Sequence, residues 1–158
     1  MTSIKEKYNK IVKVIISTGT GSVKDEPKKQ SIEKSLTLIA GQKPKVNQAK
    51  KAIASFKSRK GLPIGYSVTL RGQRMIDFLE KLINVTIPRV RDFRGLNPSF
   101  IDRAGNMTIG FKEHIVFPEA AGEDVRSAFG VGVTVVTSAP TKEEASELLK
   151  LIGFPFKK

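Results

Sequence analysis

Apolar side chains recur along this chain at two spacings, one suited to strands and one to helices. Ile11–Ile16 (IVKVII) is rich in β-branched residues and predicts a buried strand, ended by the flexible turn Thr18-Gly19-Thr20-Gly21-Ser22. The polar segment Val23–Lys29 predicts a loop. From about Lys29 to Ala40, Ile32, Leu36 and Ile39 repeat at helical spacing, and Gly41 suits the position just past the helix end. Between Pro44 and Phe56, Val46, Ala49, Ile53 and Phe56 also fall at helical spacing, which on periodicity alone predicts a short helix. Tyr66–Leu70 predicts a strand, and the intervening Ser58–Gly65, with Gly61, Pro63 and Gly65, predicts an exposed, mobile, basic loop. The clearest helix is Gln73–Ile87, with Ile76, Leu79, Leu82, Ile83 and Thr86 on one face and Pro88 ending it. A loop punctuated by arginines follows from Arg89 to Gly95. Strands are expected at Asn106–Phe111, Glu113–Phe117 and Val131–Thr137. The last helix opens on the capping box Thr141/Glu144, carries Ala145, Leu148, Leu149 and Ile152 as its apolar stripe, and stops at Gly153.

This order predicts an α+β fold, a mixed or antiparallel sheet with helices packed on one face. Such a layout leaves the other sheet face free for a large ligand. A length of 158 residues fits a single domain over 1–158, and 39% hydrophobic residues can supply a core. The chain has no internal repeat or low-complexity tract. It has no cysteine, so neither a disulfide framework nor a thiolate metal site is available. No run reaches the roughly 18–20 apolar residues of a membrane span. The N-terminus lacks the apolar segment of a secretory signal. A soluble intracellular protein with no membrane partner is expected.

Charge changes this picture. The formal net charge is +13, and it is lopsided: residues 1–60 hold 15 basic and 4 acidic side chains, residues 61–158 hold 13 and 11. From Lys34 to Ile76 there is no acidic residue but ten basic ones. A surface of one sign repels itself unless a partner of opposite charge neutralises it, and the partner that best suits such a field is a phosphate backbone.

Catalytic chemistry finds little support. His114 is the only histidine and has no cysteine to join it, which nearly excludes metal chemistry. A histidine-based nucleophilic triad would have to use this same residue, with no motif around a serine, and it reads as a strand or loop position with a hydrogen bond. Thr18–Ser22 lacks both the ending of a phosphate-binding loop and the third glycine of a dinucleotide fingerprint, and reads as a strand-end turn whose glycines could admit an RNA phosphate. Glu143, Glu144 and Glu147 complement the dipole of the last helix. Glu119, Glu123 and Asp124 form a small acidic patch, either a solvated surface or a contact for a basic protein. In Phe56-Lys57-Ser58-Arg59-Lys60-Gly61 an aromatic adjoins three cations: the cations suit phosphates, and Phe56 either stacks on a base or packs in the core. Arg89, Arg91 and Arg94 alternate with Val90 and Phe93, which would turn arginines outward toward RNA or an acidic protein.

Taken together, longer strings resemble a known family. They are GQKP (Gly41–Pro44), AKKAIASFKSRKGLPIG (Ala49–Gly65), VTLRG (Val68–Gly72), PRVRDFRGL (Pro88–Leu96), IVFPE (Ile115–Glu119) and FPFKK (Phe154–Lys158). In this order they closely resemble the bacterial-type large-subunit ribosomal protein L-five family, which binds 5S rRNA, over about residues 10–158. The resemblance implies an α+β sandwich whose concave sheet face docks 5S rRNA in the central protuberance. It implies 5S recognition at Ser17, Gln42, Phe56 and Thr69, with Lys43, Lys45, Lys50, Lys51 and Arg71 neutralising phosphate. It implies that Lys57–Ile64, including Ser58, Arg59, Lys60 and Gly61, reaches the peptidyl-site tRNA. It also implies that Pro88–Leu96 (Arg89, Arg91, Arg94) and the turn near Glu119–Asp124 face a small-subunit head protein across an intersubunit bridge.

The resemblance makes Pro44–Phe56 an extended arm paired with Tyr66–Arg71, against the helical spacing, with a basic hairpin loop projecting from it. Three positions depart from the family: Ser17 stands where asparagine is typical, His114 where glutamine is common, and Gly132 where aspartate is common. Only Met1–Lys10 precede the first strand, where the family usually carries a further helix of some twenty residues. The implied function is a non-enzymatic constituent of the large subunit, in contact with 5S rRNA, large-subunit rRNA, peptidyl-site tRNA and neighbouring ribosomal proteins. It needs no cofactor and no metal. The expected location is a cytoplasmic ribosome, with an organellar one also open. The alternatives are an RNA chaperone or regulator working off the ribosome and, further away, an RNA-acting enzyme.

Overall fold

The computed structural model describes residues 4–53 and 59–158. Five strands, β1 (Ile11–Gly19), β2 (Lys45–Gln48), β3 (Pro63–Leu70), β4 (Met107–Phe111) and β5 (Val131–Thr137), form one sheet in the order β2-β3-β1-β5-β4. Every strand pair is antiparallel, which settles the choice between mixed and antiparallel. The helices are α1 (Ile4–Lys7), α2 (Glu26–Ala40), α3 (Gly72–Lys81) and α4 (Lys142–Ile152).

Period-two alternation in the strands decides which face is covered. Val14, Ile16, Val68, Leu70, Ile109, Val133 and Val135 are buried on one side. There they join Ile32, Leu36 and Ile39 of α2, Phe78 and Leu79 of α3, and Ala145 and Leu149 of α4 in one continuous core. The expected α+β layout, with helices against one sheet face, is therefore the observed one. Among the described residues no helix is long and apolar enough to cross a membrane.

The helix ends follow local chemistry. Gly41 closes α2 with φ +71°, and its N–H donates to Thr37 O at 2.8 Å. Thr141 caps α4, its Oγ1 accepting from Glu144 N at 3.3 Å, and Gly153 ends it at φ +122°. Helix α2 begins at Glu26, three residues before the expected start, because Asp25 takes the extended capping position and Pro27 sits in the first turn, where its missing N–H costs nothing.

Four further expectations are corrected. Periodicity predicts a helix from Pro44 to Phe56, but Lys45–Gln48 is a strand paired with β3, and the pairing continues as Ala49 N–H donates to Leu62 O (2.9 Å) and Gly61 N–H to Ala49 O (2.8 Å). The helical spacing did not mark a packed face, since Val46 and Ile53 are exposed. Residues 54–58, the end of the expected arm and the first two residues of its tip, lie outside the described residues. Thr18 and Gly19 belong to β1, so the turn starts later than expected. Glu113–Phe117 is not a strand: His114–Val116 and Pro118–Ala120 are tight 3₁₀ turns, and Phe117 N–H donates to His114 O. The apolar run there records burial of Phe117 rather than ladder pairing. Finally, the helix expected to run from Gln73 to Ile87 leaves the α form at Lys81. It widens into a π turn at Leu82–Thr86, where Ile87 N–H reaches back to Leu82 O, and then tightens into a 3₁₀ turn, Ile87–Arg89, that holds Pro88.

Candidate RNA-binding face

The uncovered sheet face is set by register. Lys45, Ser67, Ser17, Gly132 and Gly110 fall in one row across all five strands, and Thr69, Ile15, Thr134 and Thr108 fall in the next. Apart from Ile15, these side chains are small, polar or absent, which leaves room for a sugar-phosphate chain over the row centred on Ser17. Thr108 Oγ1 and Thr134 Oγ1 lie 3.2 Å apart, and Ser67 Oγ donates to Asn47 Oδ1 at 3.2 Å. None of the five strands carries a single carboxylate. On the other side, beneath α2, the Tyr66 phenol is pushed above its usual range by burial, with the negative charge of Glu33 and Glu26 adding to the rise. Acidic groups thus act on the helix side, and the open side is left to cations and neutral donors.

The predicted residues distribute as follows. Ser17 stands at the centre of the face, half-buried, and Thr69 is exposed in the adjacent row. Gln42 joins Thr69 through a hydrogen bond from its Nε2 to Thr69 O at 3.4 Å. Lys43 and Lys45 are exposed just before and within β2, Lys50 and Lys51 are exposed beyond it, and Arg71 is exposed at the end of β3. Lys45, Lys50 and Lys60 line a groove of about 580 Å³ with Asn47 and Gly61. Arg59, Lys60 and Gly61 are exposed at the base of the loop, whereas Phe56, Lys57 and Ser58 lie outside the described residues. Among the described residues, Lys45, Lys50, Lys51, Lys60 and Arg71 form no ion pair.

Sequence reasoning missed three contributors. Arg74 Nη1 donates to Gln42 Oε1 at 3.1 Å, which fixes the amide beside β3. Ser67 and Thr134 flank Ser17 and Ile15 in register. The alternation of small polar residues in β3 and β5 was the signal that could have found the last two. Two of the three departures from the family pattern, Ser17 and Gly132, are register partners, and a Cβ at Gly132 would meet Ser17 Oγ at 3.5 Å.

The arginine loop forms a separate surface. Val90 and Phe93 pack against the core while Arg89, Arg91 and Arg94 are exposed, as their alternation predicts. Each carboxylate of the acidic patch has a partner within the chain, although Glu119 and Asp124 remain exposed. Glu119 pairs with Lys81, whose Nζ also donates to Ile39 O. Glu123 accepts from Ser35 Oγ (3.0 Å) and pairs with His114 Nε2, and Asp124 Oδ1 accepts from Arg126 N. His114 is fully buried in this network. Among the described residues, no cluster of three or more His, Cys, Asp or Glu could hold a metal.

An antiparallel sheet covered by helices on one side and open, carboxylate-free and bordered by lysines on the other defines an α+β protein with a face suited to phosphate. Residues 8–59 match the family model for ribosomal protein L5, and residues 63–156 match the model for the C-terminus of the same ribosomal family. The large ribosomal subunit protein uL5 of Halothermothrix orenii is 51% identical over 148 residues, covering 93% of this chain and 83% of that protein. The uL5 protein of Thermus aquaticus is 51% identical over 150 residues, 94% of this chain and 82% of that protein. That of Alkaliphilus oremlandii is 49% identical over 150 residues, 94% and 84% respectively. The chain therefore belongs to the ribosomal protein L5 family, a family of structural ribosomal proteins rather than enzymes.

Proposed function

We propose that this protein is a structural constituent of the large ribosomal subunit that anchors 5S rRNA in the central protuberance through its open sheet face. The observation that carries this reading is the row Lys45-Ser67-Ser17-Gly132-Gly110, with its neighbour Thr69-Ile15-Thr134-Thr108, on a sheet without carboxylates. Hydroxyls and backbone groups there position the RNA, and lysines and arginines around the face neutralise its phosphates. The basic loop at 57–61 reaches the peptidyl-site tRNA. Arg89, Arg91 and Arg94 face a small-subunit head protein across an intersubunit bridge. Glu119, already matched by Lys81, adds less there. Large-subunit rRNA and adjoining ribosomal proteins complete the surroundings of a ribosome-bound, cytoplasmic protein.

The test is a gel shift against 5S rRNA with tRNA and an unrelated structured RNA as competitors, at two salt concentrations. Binding that resists both competitors supports the anchor, and equal competition by all three RNAs leaves only non-specific charge. In the same assay, Lys50→Ala combined with Lys51→Ala is expected to lower the slope of log K against log salt by about 1.4–1.8, the loss of two phosphate contacts. An unchanged slope would remove both lysines from the interface.

A further inference from the structure

The sheet ends on β4, and the outer edge of that strand is incompletely closed. Thr18 Oγ1 donates to Gly130 O and His114 N–H donates to Phe129 O, which fixes the alternation along β5: even-numbered residues turn their backbone groups to β1, odd-numbered ones to β4. Val131, Val133 and Val135 face Phe111, Ile109 and Met107, so Thr108 and Gly110 turn their N–H and C=O groups outward. Asn106, which shares this parity, is capped from outside, its carbonyl accepting from Asp102 N–H at 2.8 Å. The bridge between Ile101 and Met107 covers the edge as far as the Thr108 N–H, which turns toward Phe100, and leaves the Thr108 carbonyl and Gly110 beyond it. Gly110 has no backbone partner outside the ladder among the described residues, and nothing lies within 4 Å of where its Cβ would be.

Edge strands are ordinarily blunted by lysine, proline or a cover. Strand β4 (MTIGF) has no charge and no proline. Its open end adjoins a depression of about 260 Å³ with Phe93, Phe100 and Phe111 in its wall and Arg91, Arg94 and Lys157 in its lining. Asp92 is the one carboxylate there, so the lining is cationic overall. Phe100 is 42% exposed beside it.

We propose that the outer edge of β4 takes an extended acidic segment of a neighbouring protein by strand addition. Its backbone pairs with the Thr108 carbonyl and with Gly110, one apolar side chain enters the depression, and its carboxylates meet Arg91, Arg94 and Lys157. A nucleic-acid strand does not offer N–H and C=O groups at strand spacing, so the edge selects a peptide. The inference rests on the reading of the arginine loop as a protein contact.

The probe is a fluorescent, N-acetylated octapeptide alternating glutamate with valine. It is compared with the same peptide N-methylated at alternate residues and with an octamer of uridylate, all titrated against the full chain. Alternate N-methylation is expected to weaken binding at least tenfold. Gly110→Pro does the same with an unchanged melting temperature, because the lost N–H faces outward, away from the ladder. Bound peptide slows hydrogen exchange at the Gly110 amide, a readout that needs no variant. Equal binding of the two peptides, both lost in Arg91→Ala with Arg94→Ala, overturns strand addition and leaves the charged protein contact standing. No binding of either peptide overturns both readings. Equal competition by the uridylate octamer overturns the proposal in favour of RNA.

Discussion

Ser17→Glu is expected to weaken 5S rRNA binding about 100-fold while leaving the protein folded. Ser17 sits mid-row on β1, flanked by Ser67 and Gly132, so no cation stands directly beside it to neutralise a new carboxylate. Gly132 offers no side chain to clash with the longer stem. At an effective dielectric of about 20–40, a carboxylate roughly 5 Å from a phosphate is repelled by about 2–3 kcal/mol, equivalent to about 100-fold in affinity. Ser17→Ala deletes a single hydrogen bond of about 1 kcal/mol and is expected to cost only about fivefold. Filter binding at two salt concentrations, with thermal melting as the control, checks both. A glutamate variant that binds within threefold of the parent would place the RNA elsewhere than on the open face.

The second large effect falls on stability. His114 is fully buried and stacks on Phe129 with ring centroids 3.9 Å apart. Its Nδ1 accepts from Phe129 N–H at 3.3 Å, so the ring proton sits on Nε2 and is directed at Glu123 Oε2. Glu123 is also held by Ser35 Oγ of α2. The network therefore ties the turn before β5 to a helix far away in sequence. His114→Ala leaves a cavity, an orphaned Phe129 N–H and a carboxylate held only by Ser35. Together these are expected to cost about 3–4 kcal/mol, a fall of roughly 10 °C in melting temperature for a chain of this length. His114→Gln keeps a donor and an acceptor on a slimmer side chain and is expected to recover about half of that loss. Calorimetry of the three proteins decides, and an alanine variant melting within 2 °C of the parent would show that the network is dispensable.

What could be read in the sequence was whatever a local rule governs. β1, β3 and β5 announced themselves by β-branched density, and α4 by its cap and stop. The cationic character of the candidate face followed from the missing acids between Lys34 and Ile76. Where burial and pairing gave the same signal, reading failed: Ile115–Phe117 looks like a strand because it is buried, yet its backbone is satisfied by turns. Val46 and Ile53 fall at helical spacing by coincidence, and the resemblance, not the periodicity, predicted the extended arm that β2 proves to be. The rows across the sheet were out of reach, since they depend on which strands are neighbours and in what register. Glu123 looked like a surface acid for a similar reason: its partners Ser35 and His114 lie 88 and 9 residues away and meet it only in the fold.

The wide turn at Leu82–Thr86 bears on how this chain can change length. Each residue added to or removed from a helix rotates everything beyond it by about 100°. Losing one residue from Leu82–Thr86 would restore regular α-helical bonding and improve the segment locally. It would also swing Val90 and Phe93 off the core and carry Arg89, Arg91 and Arg94 around with them. Thr86 Oγ1, buried without a hydrogen-bond partner, marks the same place as one where regular bonding has been set aside. Substitutions in this segment are therefore expected to be tolerated more readily than any one-residue insertion or deletion, because the number of residues there sets the direction in which the arginines face.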